Sequence, residues 1–242
     1  MTLKLMRLQP DAVSLTAWAV RNDVLSPDGD DGYALHSLLS NVFGEQAPKP
    51  FCHLGGRQGL LAYTSAELES LRLSASLATP DAARALGLDE LDARPFPDTW
   101  KEGQILGFEV KVRPVVRTKD GRERDVFLHA IGTATPASPS ENQVMRAEIY
   151  RDWLVKQFVA EGAAQIIHAQ MEAFCLTRVL RKESTRNDGK RKSRAVSGPS
   201  VVFKGQLQIG NSAAFTRLLA RGIGRHRAFG FGMLLLKPPA LC

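Results

Sequence analysis

The chain has little cysteine. Cys52, Cys175 and Cys242 are an odd number, lie far apart and form no Cys-x-x-Cys pair. This excludes a disulfide framework and a zinc knuckle, so the three read as reduced thiols, with Cys242 an exposed tail. Histidine and cysteine never fall two to four residues apart, and Cys52 and His53 are adjacent, a spacing that cannot chelate. No bound metal and no cofactor are expected. No apolar run approaches the ~18 residues of a membrane helix, and Met1 to Leu8 lacks the apolar core of a secretory signal. The expectation is a cytoplasmic protein with no membrane contact. After Asp188 there is no carboxylate at all.

That last absence gives the charge its meaning. The net charge is +7, but residues 1–177 carry 18 Lys+Arg against 23 Asp+Glu, net −5, and residues 178–242 carry 14 against 2, net +12. A solvated surface mixes signs, whereas a one-signed segment this long repels itself unless an anion meets it, and nucleic acid is the economical partner. With 242 residues and 44% hydrophobic content, the chain has enough material for two domains of ordinary size.

Along the chain, Leu3 to Leu8 reads as a strand. The Ser26 to Gly32 loop supplies aspartates to cap a helix over Tyr33 to Phe43, whose core stripe is Leu35, Leu38, Leu39 and Val42. Tyr33, His36 and Ser40 follow the same spacing on a neighbouring line. Strands are expected at Phe51 to Leu54 and Leu60 to Tyr63, helix over 65–92, and a clear alternating strand over Gln104 to Arg117 that Pro114 interrupts. Turn residues crowd Lys119 to Asn142, where the domain boundary is placed. A helix follows from Gln143 to Glu161, then an ambiguous stretch from Ala164 to Leu180 that reads as strand in its later part. Next come a polar segment around Asp188-Gly189, an alternating strand Val201 to Ile209, and a helix Ala213 to Arg221 capped by Asn211 or Ser212.

Strand, helix, strand, strand, helix, strand fits both halves, the second less regularly. The fold class is therefore α+β: two tandem ferredoxin-like domains, each an antiparallel sheet with helices on one face. The expected domains are residues 1–125 and 143–242, joined by a linker at 126–142.

The finish is glycine-rich. In Gly222-Ile223-Gly224-Arg225-His226-Arg227-Ala228-Phe229-Gly230-Phe231-Gly232, four of the residues are glycines that free the backbone to approach a ligand closely, while Arg225 and Arg227 add charge. One reading is a phosphate cradle. The other is a helix ending at Gly222, a turn, and a buried strand Phe231 to Leu236. Both are compatible with the same local geometry. Upstream, eight cations fall within Arg178 to Arg194: Arg178, Arg181, Lys182, Arg186, Lys190, Arg191, Lys192 and Arg194. They mark either a hairpin that grips RNA phosphates or a solvated loop, and a segment of this kind orders on binding.

These stretches, together with Tyr33-Ala34-Leu35-His36, Phe108 to Arg117 with Gly121-Arg122-Glu123-Arg124-Asp125, and Tyr150-Arg151-Asp152-Trp153-Leu154, resemble the CRISPR repeat-processing endoribonucleases of the CasE group. The glycine motif is the most specific of them, and the similarity is weakest at residues 65–95. The resemblance implies two RRM-like domains of the RAMP superfamily. It also implies a metal-independent cut at the 3′ base of a repeat hairpin in precursor CRISPR RNA, leaving a 5′-hydroxyl and a cyclic phosphate. The implied partners are that hairpin and the other subunits of a Cascade-like complex in a prokaryotic cytoplasm, of type I-E or type IV. A non-catalytic hairpin-binding scaffold of the same fold is the alternative.

Metal-free RNA cleavage needs a base for the 2′-hydroxyl proton, an acid for the leaving 5′-oxygen and positive charge on the phosphate. His36, placed near the positive end of its helix, is the expected proton-transfer group, unless it merely packs at the helix edge. Tyr33 is expected to orient the ribose or phosphate, or to share the proton transfer. Several relatives carry a lysine two turns into this helix. Here Ser40, Asn41 and Val42 stand there, so Arg186 or Arg194 is expected to take its place. The expected RNA contacts are the eight cations of the hairpin with Lys204, Gly222, Gly224, Arg225, His226, Arg227, Gly230 and Gly232, His226 through a backbone-phosphate contact.

Overall fold

In a computed structural model, residues 2–132, 138–182 and 193–239 are described. The chain divides into two units. One comprises Met1–Phe96 with Thr177–Ser197 and Ala228–Gly230, the other Pro97–Leu176 with Gly198–Arg227 and Phe231–Cys242.

The first unit contains β1 (Lys4–Leu8), α1 (Ala12–Arg21), α2 (Gly32–Phe43), β2 (Phe51–Gly55), β3 (Gly59–Thr64), α3 (Leu68–Ser76), α4 (Pro80–Leu86) and β4 (Asp92–Pro95). Its sheet runs β2-β3-β1-β4, the order a split βαβ unit produces. β1 is central and antiparallel to both neighbours, with Met6 opposite Ala62 and Ala93 and Leu8 opposite Leu60. Alternation turns Met6 and Leu8 into the core, where they meet Leu35, Leu38, Leu39 and Val42, the stripe expected for α2. α1 starts where Asp11 accepts from Ser14 N at 2.8 Å and buries Leu15, Trp18 and Ala19. Leu180 and Phe229, far downstream, also pack into this core.

The second unit repeats the topology. β5 (Ile105–Val112) is followed by a small hairpin, β6 (Val115–Arg117) and β7 (Glu123–Asp125), then α5 (Val126–Ile131), α6 (Pro139–Val159), β8 (Ala164–Lys182), β9 (Ser193–Ile209), α7 (Ser212–Arg221) and β10 (Leu234–Lys237). The sheet order β10-β5-β9-β8 is again that of a ferredoxin-like fold. Phe108, Val110 and Val112 face inward with Val201, Phe203 and Leu207, and Phe108 stacks on Phe158 of α6 at 5.5 Å. Asn211 caps α7 through Ala214 N at 2.9 Å.

This corrects the expected boundaries. Pro97 to Asp125 does not close the first domain, and 126–142 does not separate the two. β5 is the first strand of the second unit, paired along its length with β9 and β10. The true fourth strand of the first unit is β4, four residues with a single buried side chain, too short to alternate visibly. With β5 as its opening strand, the second half has the full strand, helix, strand, strand, helix, strand order. The ambiguous Ala164 to Leu180 is strand throughout.

Candidate active site and nucleic-acid interface

α2 carries the first set of residues. Asp31 occupies the cap position but makes no side-chain cap bond; its Oδ2 pairs with His53 Nδ1 of β2 at 2.5 Å, while Asp30 Oδ1 accepts from Gly32 N at 3.1 Å. His53, isolated in the sequence, thus anchors the helix entrance. Gly32 is required there, because a Cβ would sit 2.4 Å from the carbonyl oxygen of Phe229. Tyr33 is buried and His36 half-buried, one helical turn apart, with ring centroids 6.2 Å from each other. Phe229 completes the group, lying edge-on to His36 at 5.0 Å and 85° and 5.8 Å from Tyr33.

Burial, aided by the positive charge of Lys49, holds the His36 imidazole below the ordinary histidine range. The end of the helix is not what lowers it. α2 begins at Gly32, so His36 stands in the second turn, where the field of the helix end has largely decayed. The ring is therefore neutral at pH 7 for a different reason, an apolar wall with a cation nearby. Neither Phe229 nor Lys49 was singled out in the sequence. Phe229 is hidden inside a motif read for its glycines and arginines, and Lys49 follows the helix rather than riding on it.

The loop before α2 is tied to β8. Asp28 Oδ2 accepts from Arg178 N at 2.6 Å and Ser26 Oγ donates to Arg178 O at 2.7 Å. Burial raises the Asp28 carboxyl, but the hydrogen bonds from Ser26, Arg178 and Asp30 outweigh it and leave the pKa below the usual value. Of the expected hairpin cations, Arg178 is exposed. The backbones of Arg181, Lys182 and Arg194 lie in β8 and β9, their side chains outside the described part. Arg186, Lys190, Arg191 and Lys192 lie outside the described residues. Lys204 stands on the sheet face of the second unit, 3.7 Å from Glu172.

Apart from Ala228 to Gly230, which belong to the first unit, the glycine motif lies in the second unit, where its two ends are bonded together. Ile223 N donates to Gly232 O at 2.8 Å, and Gly232 N donates to Lys111 O of β5 at 2.7 Å. Glu123 of β7 grips the loop twice, accepting from Arg225 Nε at 2.7 Å and lying 2.6 Å from His226 Nε2. Burial pushes the Glu123 carboxyl up, but His226 and Arg225 outweigh it and hold the pKa below the usual range. The His226 side chain is only 4% exposed. The phosphate contact expected of His226 is therefore not available to its ring, which is turned inward to Glu123. A Cβ on Gly224 would stand 2.8 Å from the ring of Trp153, and one on Gly230 would stand 3.4 Å from that of Phe51.

Tyr150 and Asp125, from the other motifs, form a cluster of their own. Tyr150, fully buried, donates to Asp125 at 2.8 Å, and Arg146 reaches the same phenol at 3.1 Å while stacking on Phe127 at 4.0 Å. Burial and the Asp125 charge push the Tyr150 phenol well above the usual value. Tyr150→Phe removes a buried hydrogen bond to a carboxylate and is expected to cost about 1.5–3 kcal/mol. Urea denaturation would read this as a lower midpoint at unchanged slope.

Among the described residues no cluster of three or more His, Cys, Asp or Glu could hold a metal ion, and no helix is long and apolar enough to cross a membrane. A family model described as CRISPR associated protein matches residues 4–238. No curated protein matches the chain. Among solved structures, Thermus thermophilus Cse3 bound to an RNA representing a pre-cleavage complex matches with a TM-score of 0.59 at 19% identity, over 98% of this chain and 100% of that one. Another structure of the CRISPR endoribonuclease Cse3, bound to 19-nucleotide RNA, matches with 0.60 at 19% identity over 98% of each chain. The CRISPR-associated protein Cas6e from Escherichia coli K-12 matches with 0.50 at 19% identity, over 99% of this chain and 100% of that one. At these identities the likeness establishes the two-domain fold.

Proposed function

Because the chain belongs to the CRISPR-associated protein family, we propose that it is an endoribonuclease that binds a CRISPR repeat hairpin, cuts it at the 3′ base without a metal ion, and stays on the product as a subunit of a Cascade-like complex. The observation that carries this reading is the His36 imidazole, held neutral and half-buried between Phe229, Tyr33 and the charge of Lys49. The RNA-bound relatives and the net +12 of residues 178–242 support it.

The neutral imidazole takes the proton of the 2′-hydroxyl. The oxygen attacks the adjacent phosphorus, and the bond to the 5′-oxygen breaks, leaving a cyclic phosphate and a 5′-hydroxyl. Tyr33, one turn earlier with its ring 6.2 Å from that of His36, takes the role of protonating the departing oxygen. Lys49 takes the role of the phosphate cation, since Ser40, Asn41 and Val42 stand where the helix itself would have supplied one.

The test is incubation of end-labelled repeat RNA with and without EDTA, expected to give a single cut under both conditions. Tight, salt-sensitive binding with no product would instead establish a scaffold. The sign of the pH dependence follows from the lowered pKa: the cleavage rate climbs as pH rises through a value below that of ordinary histidine, then levels off. In Lys49→Ala the repulsion on the imidazolium is gone, so the climb moves to higher pH and the plateau rate falls about tenfold or more. An unshifted profile would remove Lys49 from the site.

A further inference from the structure

α6 and α7 of the second unit end at the same place, beside the start of the glycine loop. There they enclose a pocket of about 350 Å³ with Lys156, Arg221 and Arg227 on its walls and the backbone of Gly222 to Gly224 between them. Cations at helix C-termini are ordinary, because they face carbonyl ends. Arg227 does part of that work, donating from Nη1 to Arg221 O at 2.7 Å. Convergence is the part the helix ends leave unexplained. Arg225, the neighbouring cation, is neutralised by Glu123. Among the described residues the one carboxylate paired with Arg221 is Glu161 at 3.9 Å, and Glu161 is engaged by Arg217 at 2.9 Å. Neither Lys156 nor Arg227 has a carboxylate ion pair among the described residues. Arg227 is held below the usual arginine value by burial and by the charges of Arg221 and Arg225, so these guanidiniums repel one another as they stand. An ammonium and two guanidiniums around one recess, short of negative charge, match the oxygens of a phosphate.

We propose that Lys156, Arg221 and Arg227 form a phosphodiester subsite that takes one backbone phosphate of the bound RNA, in addition to the contacts of the basic hairpin. The proposal rests on the RNA-binding reading above and adds Lys156 and Arg221, which no sequence motif marked.

The test is the salt dependence of affinity for a repeat hairpin that carries a 2′-deoxyribose at the cut and no terminal phosphates, so that only internal phosphodiesters are available. Lys156 is exposed, and Lys156→Gln should leave the thermal midpoint unchanged. It should weaken binding and lower the slope of log Kd against log salt by about 0.7–0.9, the value of one phosphate contact. Lys156→Arg should restore the slope. Replacing the linkages one at a time by neutral methylphosphonates should reveal one position at which wild type and Lys156→Gln bind alike. If the wild type binds and Lys156→Gln keeps its full slope, the subsite is overturned while RNA binding stands. A wild type that does not bind the hairpin would instead overturn the functional reading.

Discussion

His36→Ala is expected to reduce single-turnover cleavage of a repeat hairpin by about 10²–10⁴-fold, the usual contribution of a positioned proton-transfer group, while hairpin affinity stays within a few-fold of wild type. The two effects separate because His36 lies at the edge of α2 while the stripe Leu35, Leu38 and Leu39 carries its packing. Alanine also favours helix, so the fold should persist. Tyr33→Phe keeps the buried ring and removes only the hydroxyl, and should show a smaller rate loss with unchanged affinity. Undiminished cleavage by His36→Ala in EDTA would refute the assignment, whatever the binding data say.

The largest expected stability effect lies in the glycine loop. A Cβ on Gly232 would stand 2.2 Å from Ile223 O and 3.0 Å from Ile223 N, both backbone atoms, at a φ of +78°. The left-handed conformation alone costs a non-glycine residue about 1–2 kcal/mol. The collision then breaks the paired bonds by which Gly232 holds Ile223 and Lys111. Gly232→Ala should lose roughly 3 kcal/mol or more in urea denaturation, with hairpin affinity falling alongside. Gly29→Ala is the control: its φ is +77° but nothing lies within 4 Å of the added carbon. It should show the conformational cost alone, and equal losses in the two variants would contradict the clamp.

Sequence pattern exposed most of the fold because both sheets are built from strands with one buried face. The inward side chains of β9, Val201, Phe203, Leu207 and Ile209, and the stripe of α2 stand where their periodicity put them. β4 is illegible in the sequence, because four residues with one buried side chain carry no period. α1 carries no clean stripe in the sequence, because its buried residues, Leu15, Trp18 and Ala19, are spread among exposed Val13 and Val20. At the candidate site, Tyr33 and His36 stand one turn apart on α2 as their spacing put them, and it is the family resemblance that singles them out as candidates. Their neighbours are not legible in the sequence, since Phe229 and Lys49 arrive through tertiary packing. Likewise His226 reads as a loop cation until Glu123, about a hundred residues earlier, is found against its ring.

Glu123 belongs to a wider pattern. The ion pairs of the carboxylate-poor tail run back to earlier residues: Lys204 to Glu172, Arg217 to Glu161, Arg225 to Glu123 and Lys237 to Glu109. On the ribosome, each acid has emerged before the base it will neutralise. The nascent tail is thus met by counter-charges already made, and the same segment expressed alone would leave them behind and should bind cellular polyanions indiscriminately.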